Sequence, residues 1–445
     1  MDKLLLNLVL LAGLVGLAFF ILNLFIPNFR SFFINQPTVT SLVLTLSSVT
    51  SLIFGIIIFT GQPWPFATNY IEKSLWFFTF AFGGTLANIS WVIMLSKNKE
   101  WGWYAGVSGG SLSLVATILT MLPLLQMLAS NEQFEADLRK ALGDEYISRI
   151  PNSVKAGFRN SYFNLTDYIV GLNTGNYSFK QDLVFRTVGN EKLQLDVFYP
   201  TSSNNTASNP TLVVIHGGGF EQGDKSEYPE FNAYLATRGW TVFSINYRLA
   251  PKYTYPAPQE DVQCALLYIA KNGATYGADI NKLVLMGRSA GGNLALSAAY
   301  NPNILPTDSS CRQQLPSVKA VVAYYPPTDL TDWYNKDTSG RIQPIVARYI
   351  GGTPSQKPEE YSLASPINNV RGNMPPSLLI ESGRDQLDLS NQSTLLADKL
   401  RANGNKVALL FLPWAGHSFD STFEGISNQP ILYFTERFLA YVVAG

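Results

Sequence analysis

The stretch KLVLMGRSAGGNLAL, residues 282–296, centres a serine in a G-x-S-x-G pattern made by Gly287, Ser289 and Gly291. An apolar run precedes it and a helical pattern follows, so the pentapeptide reads as a sharp strand-to-helix turn that lifts the Ser289 hydroxyl clear of a sheet. Side chains at the flanking positions would collide in such a turn, hence Gly287 and Gly291. A hydroxyl becomes a useful nucleophile only when a base takes its proton and a third group orients that base. The chain has two histidines, His216 and His417, and only His417 follows the serine, in PWAGHSFD directly after the apolar VALLFLP. Turns of this kind go with the chain order serine, acid, histidine, which makes His417 the expected base. The acid is expected after SLLIES, within ESGRDQLDLS. Glu381 falls in the strand and Asp388 in the following helix, which leaves Asp385 on the loop as the preferred acid and Asp388 as its main competitor. Asp329 in YYPPTDL follows a strand one unit too early and reads as a helix cap or an ion-pair partner.

A second stretch, VVIHGGGF at 213–220, ends an apolar run in a histidine and three glycines. When a carbonyl is attacked its oxygen turns negative, and backbone N–H groups stabilise it only where no side chain blocks their approach. Gly218 and Gly219 are the expected donors, joined by the N–H of Ala290. His216 is expected to hold the loop that begins at Gly217 rather than to take part in the chemistry.

These residues need rigid elements to hold them. From about residue 181, short apolar runs (LQLDVFYP, TLVVIH, TVFSINY, KLVLMG, VKAVVAYY, SLLIES, VALLFLP) alternate with helical patterns such as PQEDVQCALLYIAKNG and NQSTLLADKLRANG. That alternation predicts an α/β fold, a mostly parallel sheet with helices on both faces. Ligands of such sheets bind at the carboxyl ends of the strands, where the motifs lie. Cys264 falls in the helical DVQCALLYIA and reads as a buried thiol, with a pairing to Cys311 left open. The two cysteines, without a CxxC, do not form a zinc pattern.

The first 130 residues differ in kind. Their only charges are Asp2, Lys3, Arg30, Glu72, Lys73, Lys97, Lys99 and Glu100, although the whole chain of 445 residues balances 32 basic against 32 acidic groups. Four uncharged apolar stretches, Leu4–Ile26, Val39–Thr60, Ser74–Ser96 and Tyr104–Ala129, are each long enough to cross a bilayer as a helix. Trp64, Phe66, Tyr70, Trp101, Trp103 and Tyr104 cluster near their ends, where amphipathic rings favour the headgroup layer. No Asp, Glu, Lys, Arg or His lies inside a span, which removes the usual signature of a transporter, and Asn7, Asn23 and Asn88 read as inter-helix hydrogen bonders. An even number of spans places the N-terminus and the later domain on one side of a lipid bilayer. Lys3, Lys73, Arg139 and Lys140 against Arg30, Lys97 and Lys99 do not say which. No basic block points to nucleic acid. The expected organisation is therefore a four-helix transmembrane domain over 1–130, a connector or cap over 131–180 and the α/β domain over 181–445.

Taken together, HGGGF, YRLAP (247–251), GRSAGGN, ASPI (364–367) and PPSLLIESGRDQL resemble the hormone-sensitive-lipase-like and feruloyl-esterase-like branch of the α/β-hydrolases, over residues 180–445. The resemblance implies an α/β-hydrolase fold and a carboxylester hydrolase using Ser289, Asp385 and His417, with an ester substrate and without metal or cofactor. It also implies a cap over the acyl pocket, for which 131–180 and the insertion 327–366 are candidates. Arg288 stands where the lipase-like branch carries an acidic residue, and the four-span N-terminus lies outside the shared pattern. A serine peptidase on the same fold, or a non-catalytic scaffold, are the competing readings. The peptidase lacks a gating domain ahead of the catalytic part, and the scaffold reading sits poorly with a full set of motif residues.

Overall fold

The structure, a computed structural model, describes residues 3–26, 33–34, 36–62, 66–96, 101–201, 208–301 and 311–444. It divides into two compact units, one of Met1–Ala129 with Trp414–Ser427 and one of Ser130–Pro413 with Asn428–Gly445.

The first unit holds α1 (Lys3–Phe25), α2 (Pro37–Thr60), α3 (Phe66–Glu72), α4 (Ser74–Met94) and the start of α5 (Trp101–Leu142). Among the described residues three helices, α2, α4 and α5, are long and apolar enough to cross a membrane, and Leu11–Leu22 of α1 is a shorter apolar stretch. Four spans were expected from sequence, and this is one fewer. Arg30, Lys97, Lys99 and Trp64, and the side chains of Asn7, Asn23 and Phe66, lie outside the described residues. The helices turn polar groups inward: Asn88 Nδ2 and Ser113 Oγ each donate to Ser48 Oγ, at 3.0 and 2.9 Å, and Trp91 Nε1 donates to Ser41 Oγ at 2.9 Å. Ser48, Asn88 and Ser113 are fully buried, while Leu42, Leu46, Ile53, Leu114 and Ile118 are exposed. Water favours the opposite arrangement. Apolar side chains outside and hydrogen-bonded polar ones inside suit helices whose surroundings are hydrocarbon.

The second unit is built on an eight-stranded sheet of order β1-β2-β4-β3-β5-β6-β7-β8. The strands are β1 (Tyr177–Val188), β2 (Glu191–Pro200), β3 (Asn209–Ile215), β4 (Thr241–Ile245), β5 (Ala278–Arg288), β6 (Val318–Tyr324), β7 (Ser377–Arg384) and β8 (Val407–Gly416). β1 and β2 pair antiparallel, as do β2 and β4, and from β4 through β3, β5 and β6 to β7 the pairing is parallel. The central strands are buried along their length, with Val213, Leu285, Val321 and Leu379 inaccessible, as a sheet covered on both faces requires. After α6 (Asn152–Lys155), α7 (Leu165–Val170) and α8 (Pro229–Ala236) come α9 (Ala257–Asn272) and α10 (Ala290–Tyr300). The insertion 327–366 supplies α11 (Leu330–Asn335), α12 (Ile342–Ile350) and α13 (Pro358–Leu363), and α14 (Gln392–Ala402) and α15 (Asn428–Ala444) complete the unit.

Two sequence expectations need correction or extension. β1 was not among the expected strands; it is a mostly exposed edge strand, so it lacks the apolar pattern of the others. Cys264 is not a free thiol but forms a disulfide with Cys311. The amphipathic stretch after Ser130 continues α5 without a break to Leu142, so no change of element marks the expected boundary at 130. In the connector beyond it, the side chain of Arg159 meets Asp167 and Gln429 at 2.8 and 2.9 Å, and its backbone N–H reaches Glu436 at 3.0 Å.

Candidate active site

Ser289 stands between β5 and α10 at φ 52° and ψ −121°. A residue with a Cβ pays for that backbone conformation, so the surrounding structure must impose it. It does so through two backbone bonds, Ser289 N–H to Tyr324 O at 2.9 Å and Asn293 N–H to Ser289 O at 3.1 Å. A Cβ at Gly291 would lie 2.2 Å from Ile215 O and 2.3 Å from His216 O, so only glycine lets α10 approach β3 this closely. Ser289 is the N-cap residue of α10, yet its side chain makes no capping bond. A plain helix cap would use the oxygen that way.

Pairing aligns Ile215 of β3 with Gly287 of β5, so the two loops leave the sheet side by side. The position a Cβ would take at Gly217 is 3.4 Å from Ser289 Cβ. Gly218 has φ +104°, and a Cβ there would fall 2.0 Å from Gln222 O. The turn is closed by the N–H groups of Glu221 and Gln222, both donating to Gly218 O at 3.1 Å. Gly219 has φ +63°, and Ile345 Cγ2 of α12 would lie 3.3 Å from its Cβ position. Phe220 stacks flat on Tyr349 of α12 at 3.7 Å between ring centroids. Ala290 opens α10 and is buried. Gly217, Gly218, Gly219, Ser289 and Ala290 are thus gathered at the carboxyl ends of β3 and β5.

His216 is buried behind this loop. Its Nδ1 lies 2.8 Å from Gly217 O, and since a carbonyl only accepts, Nδ1 carries the proton. Its ring stacks on Tyr247 at 4.3 Å, and the Tyr247 hydroxyl donates to His216 O and Gly217 O at 3.1 and 3.2 Å. Burial pulls the imidazole down to about 4, against smaller opposing effects of Gly217 and Asp224. His216 is therefore a neutral brace under the glycines.

Asp385 directly follows β7 and is mostly buried, its Oδ1 accepting from Leu387 N–H at 2.9 Å. The alternatives separate. Glu381 is consumed by the start of α14, accepting from Asn391 N–H at 3.0 Å, Thr394 N–H at 2.6 Å and Thr394 Oγ1 at 3.1 Å. Asp388 lies in the loop before α14, not inside a helix as its sequence context implied. Asp329 caps α11 through Asp332 N–H at 3.0 Å. His417 is the residue immediately after β8 and is buried. β7 and β8 are neighbours in the sheet order.

Two residues near the serine were not foreseen in these roles. Arg288 is almost inaccessible, its guanidinium 4.0 Å from the Tyr228 ring, 4.6 Å from Phe231 and 4.9 Å from Tyr324. A weakly hydrated planar cation tolerates such an aromatic cage, so Arg288 packs behind the turn. Asn293, buried one turn into α10, donates from Nδ2 to Pro327 O at 2.9 Å and Ala364 O at 3.0 Å. It thereby ties both ends of the 327–366 insertion to the helix that starts at the serine. The only sequence signal was the asparagine of GRSAGGN.

Residues 195–400 match the BD-FAE family model. Esterase LipC of Mycobacterium tuberculosis is 31% identical over 264 residues, covering 57% of this chain and 64% of that protein. Probable carboxylic ester hydrolase LipM of the same organism is 27% identical over 272 residues, covering 60% and 62%. The chain thus spans somewhat less than two thirds of the length of these relatives. The structure of Thermogutta terrifontis esterase 2 phosphonylated by sarin aligns with a TM-score of 0.49 at 21% identity, covering 60% of this chain and 94% of that one. By strand order the second unit has an α/β-hydrolase fold, and the family match takes in both the glycine loop and the Ser289 turn.

Proposed function

We propose that the chain is a membrane-anchored serine carboxylester hydrolase. The observation that carries the reading is Ser289, held at positive φ with no capping bond, with the Cβ position of Gly217 in the glycine loop 3.4 Å from its own Cβ. Relatives named as esterases support the reaction class. In the proposed reaction His417, oriented by Asp385, takes the Ser289 proton as Oγ bonds to the ester carbonyl carbon. The N–H groups of Gly218, Gly219 and Ala290 hold the carbonyl oxygen while it is negative. As the carbonyl re-forms, the C–O bond to the alcohol breaks and His417 returns the proton to the leaving oxygen. Water, deprotonated by the same base, then releases the acid from Ser289. The acyl and alcohol groups stay unspecified, since a fold does not choose them.

The anchor is proposed to be four helices, α1, α2, α4 and the apolar part of α5, with the N-terminus and the hydrolase domain on the same side of the bilayer. Supporting this are the outward apolar and inward polar faces of the first unit. A serine-directed phosphonate tests the chemistry. The adduct is expected on the peptide containing Ser289, absent in Ser289→Ala and formed far more slowly in His417→Ala. A folded protein that takes no label, or takes it on another residue, refutes the assignment.

A further inference from the structure

The compact unit that holds the apolar helices also holds Trp414–Ser427, the segment that contains His417. The grip on that segment comes from α3 and the residue after it. Glu72, the last residue of α3, is fully buried, and its Oε2 accepts the Ser427 N–H at 2.8 Å. Its Oε1 is hydrogen-bonded to Ser427 Oγ, which in turn accepts the indole N–H of Trp414 at 2.8 Å. Trp414 and Ser427 are the two ends of the segment, so this chain of bonds closes its neck. Three further contacts hold it from outside: Lys73 Nζ to Glu424 Oε1 at 2.7 Å, Thr422 Oγ1 to Asn69 Oδ1 at 3.3 Å, and Ile426 N–H to Glu72 O at 3.4 Å. A Cβ at Gly425 would come within 2.3 Å of Glu72 Oε2, so the segment is fitted around this carboxyl.

A carboxyl placed where water cannot reach costs free energy unless it is hydrogen-bonded, and nothing in anchoring helices requires one there. Burial pushes it up to about 8, opposed by its Ser427 bonds and Lys73 and assisted by Asp420. A hydroxyl both donates and accepts, so the Glu72–Ser427 pair survives in either protonation state.

From this geometry we infer that Glu72 is a positioning residue for the proposed base: it fixes the neck of the Trp414–Ser427 segment and so the placement of His417. The inference rests on the esterase reading for its catalytic consequence, but not for its structural one. Glutamine offers the same carbonyl acceptor and an N–H donor in place of the acid proton, whereas alanine removes both and leaves Ser427 with Trp414 alone.

The test uses full-length protein in detergent, with two readouts on Glu72→Ala, Glu72→Gln and Ser427→Ala. Hydrogen exchange over residues 414–427 is expected to speed up at least tenfold in Glu72→Ala and Ser427→Ala, with Glu72→Gln near wild type. For a short-chain aryl ester, kcat is expected to fall by about 10²-fold in Glu72→Ala with KM within about twofold, since misplacing a catalytic group by about 1 Å costs that much. Glu72→Gln should recover most of it. Unchanged exchange in Glu72→Ala and Ser427→Ala overturns the inference, as does a Glu72→Gln no better than Glu72→Ala in both readouts. Accelerated exchange supports it even if wild-type protein hydrolyses no ester, an outcome that would strike only at the esterase reading. Should Glu72→Ala not fold, Ser427→Ala carries the comparison.

Discussion

Ser289 and His216 show how much a single residue's surroundings decide. Both sit at strand ends, but the serine oxygen is kept out of a capping bond while the imidazole is boxed in by Gly217 O and the Tyr247 ring. The box has a thermodynamic signature. The His216 pKa, lowered by burial from 6.5 to about 4, means the folded protein binds fewer protons than the unfolded chain between those values. The stability that comes from the neutral ring is complete above about 6.5 and is lost as the pH falls toward 4. Melting curves should therefore drop more steeply over that window in the wild type than in His216→Gln. Parallel curves would mean the ring is not desolvated as described. The Ser289 turn and the glycine loop beside it were legible as local structure, because a sharp strand-to-helix turn and close backbone approach force a pattern of small residues. Pattern preferred Asp385 by placing Asp388 in a helix, whereas both lie in one loop, and the use of Glu381 by α14 is seen only in three dimensions.

At the scale of elements, seven of the eight strands could be read as apolar runs, because most of their side chains are buried and the central parallel strands have no polar face. β1 could not: as an exposed edge it carries lysine, glutamine and aspartate, and its partner β2 holds it in place. The disulfide was illegible for a different reason. Cys264 sits inside α9 and its partner 47 residues away, and spacing does not say which loops return to a helix. α5 runs through the expected boundary because a polar amphipathic stretch can prolong an apolar helix. The helix count leads to a topological prediction. With four spans, an N-terminal epitope and a C-terminal epitope should be digested or protected together when protease is added to sealed vesicles. Opposite fates would require an odd number of crossings and would contradict the four-span anchor.

For the whole molecule, the uneven charge of the sequence is the feature that best anticipated the structure. Eight charged residues in the first 130 go with a unit whose polar side chains, Ser48, Asn88 and Ser113 among them, face inward, while all the remaining charges but Asp420 and Glu424 belong to a sheet-based unit with a conventional core. Sequence texture reports solvent well, because every residue of a helix surface must answer to it. It says little about how a polar group such as Glu72 is used, since that depends on a segment more than 340 residues later in the chain. The central claim, that this chain cleaves carboxylic esters through Ser289, is tested most directly by hydrolysis of aryl esters from short to long acyl chains, using full-length protein in detergent beside Ser289→Ala. The account predicts turnover for at least one chain length, reduced at least about 1,000-fold by the substitution with the fold intact. Wild-type protein that is folded but hydrolyses none of the series, or turnover that survives in Ser289→Ala, would contradict it.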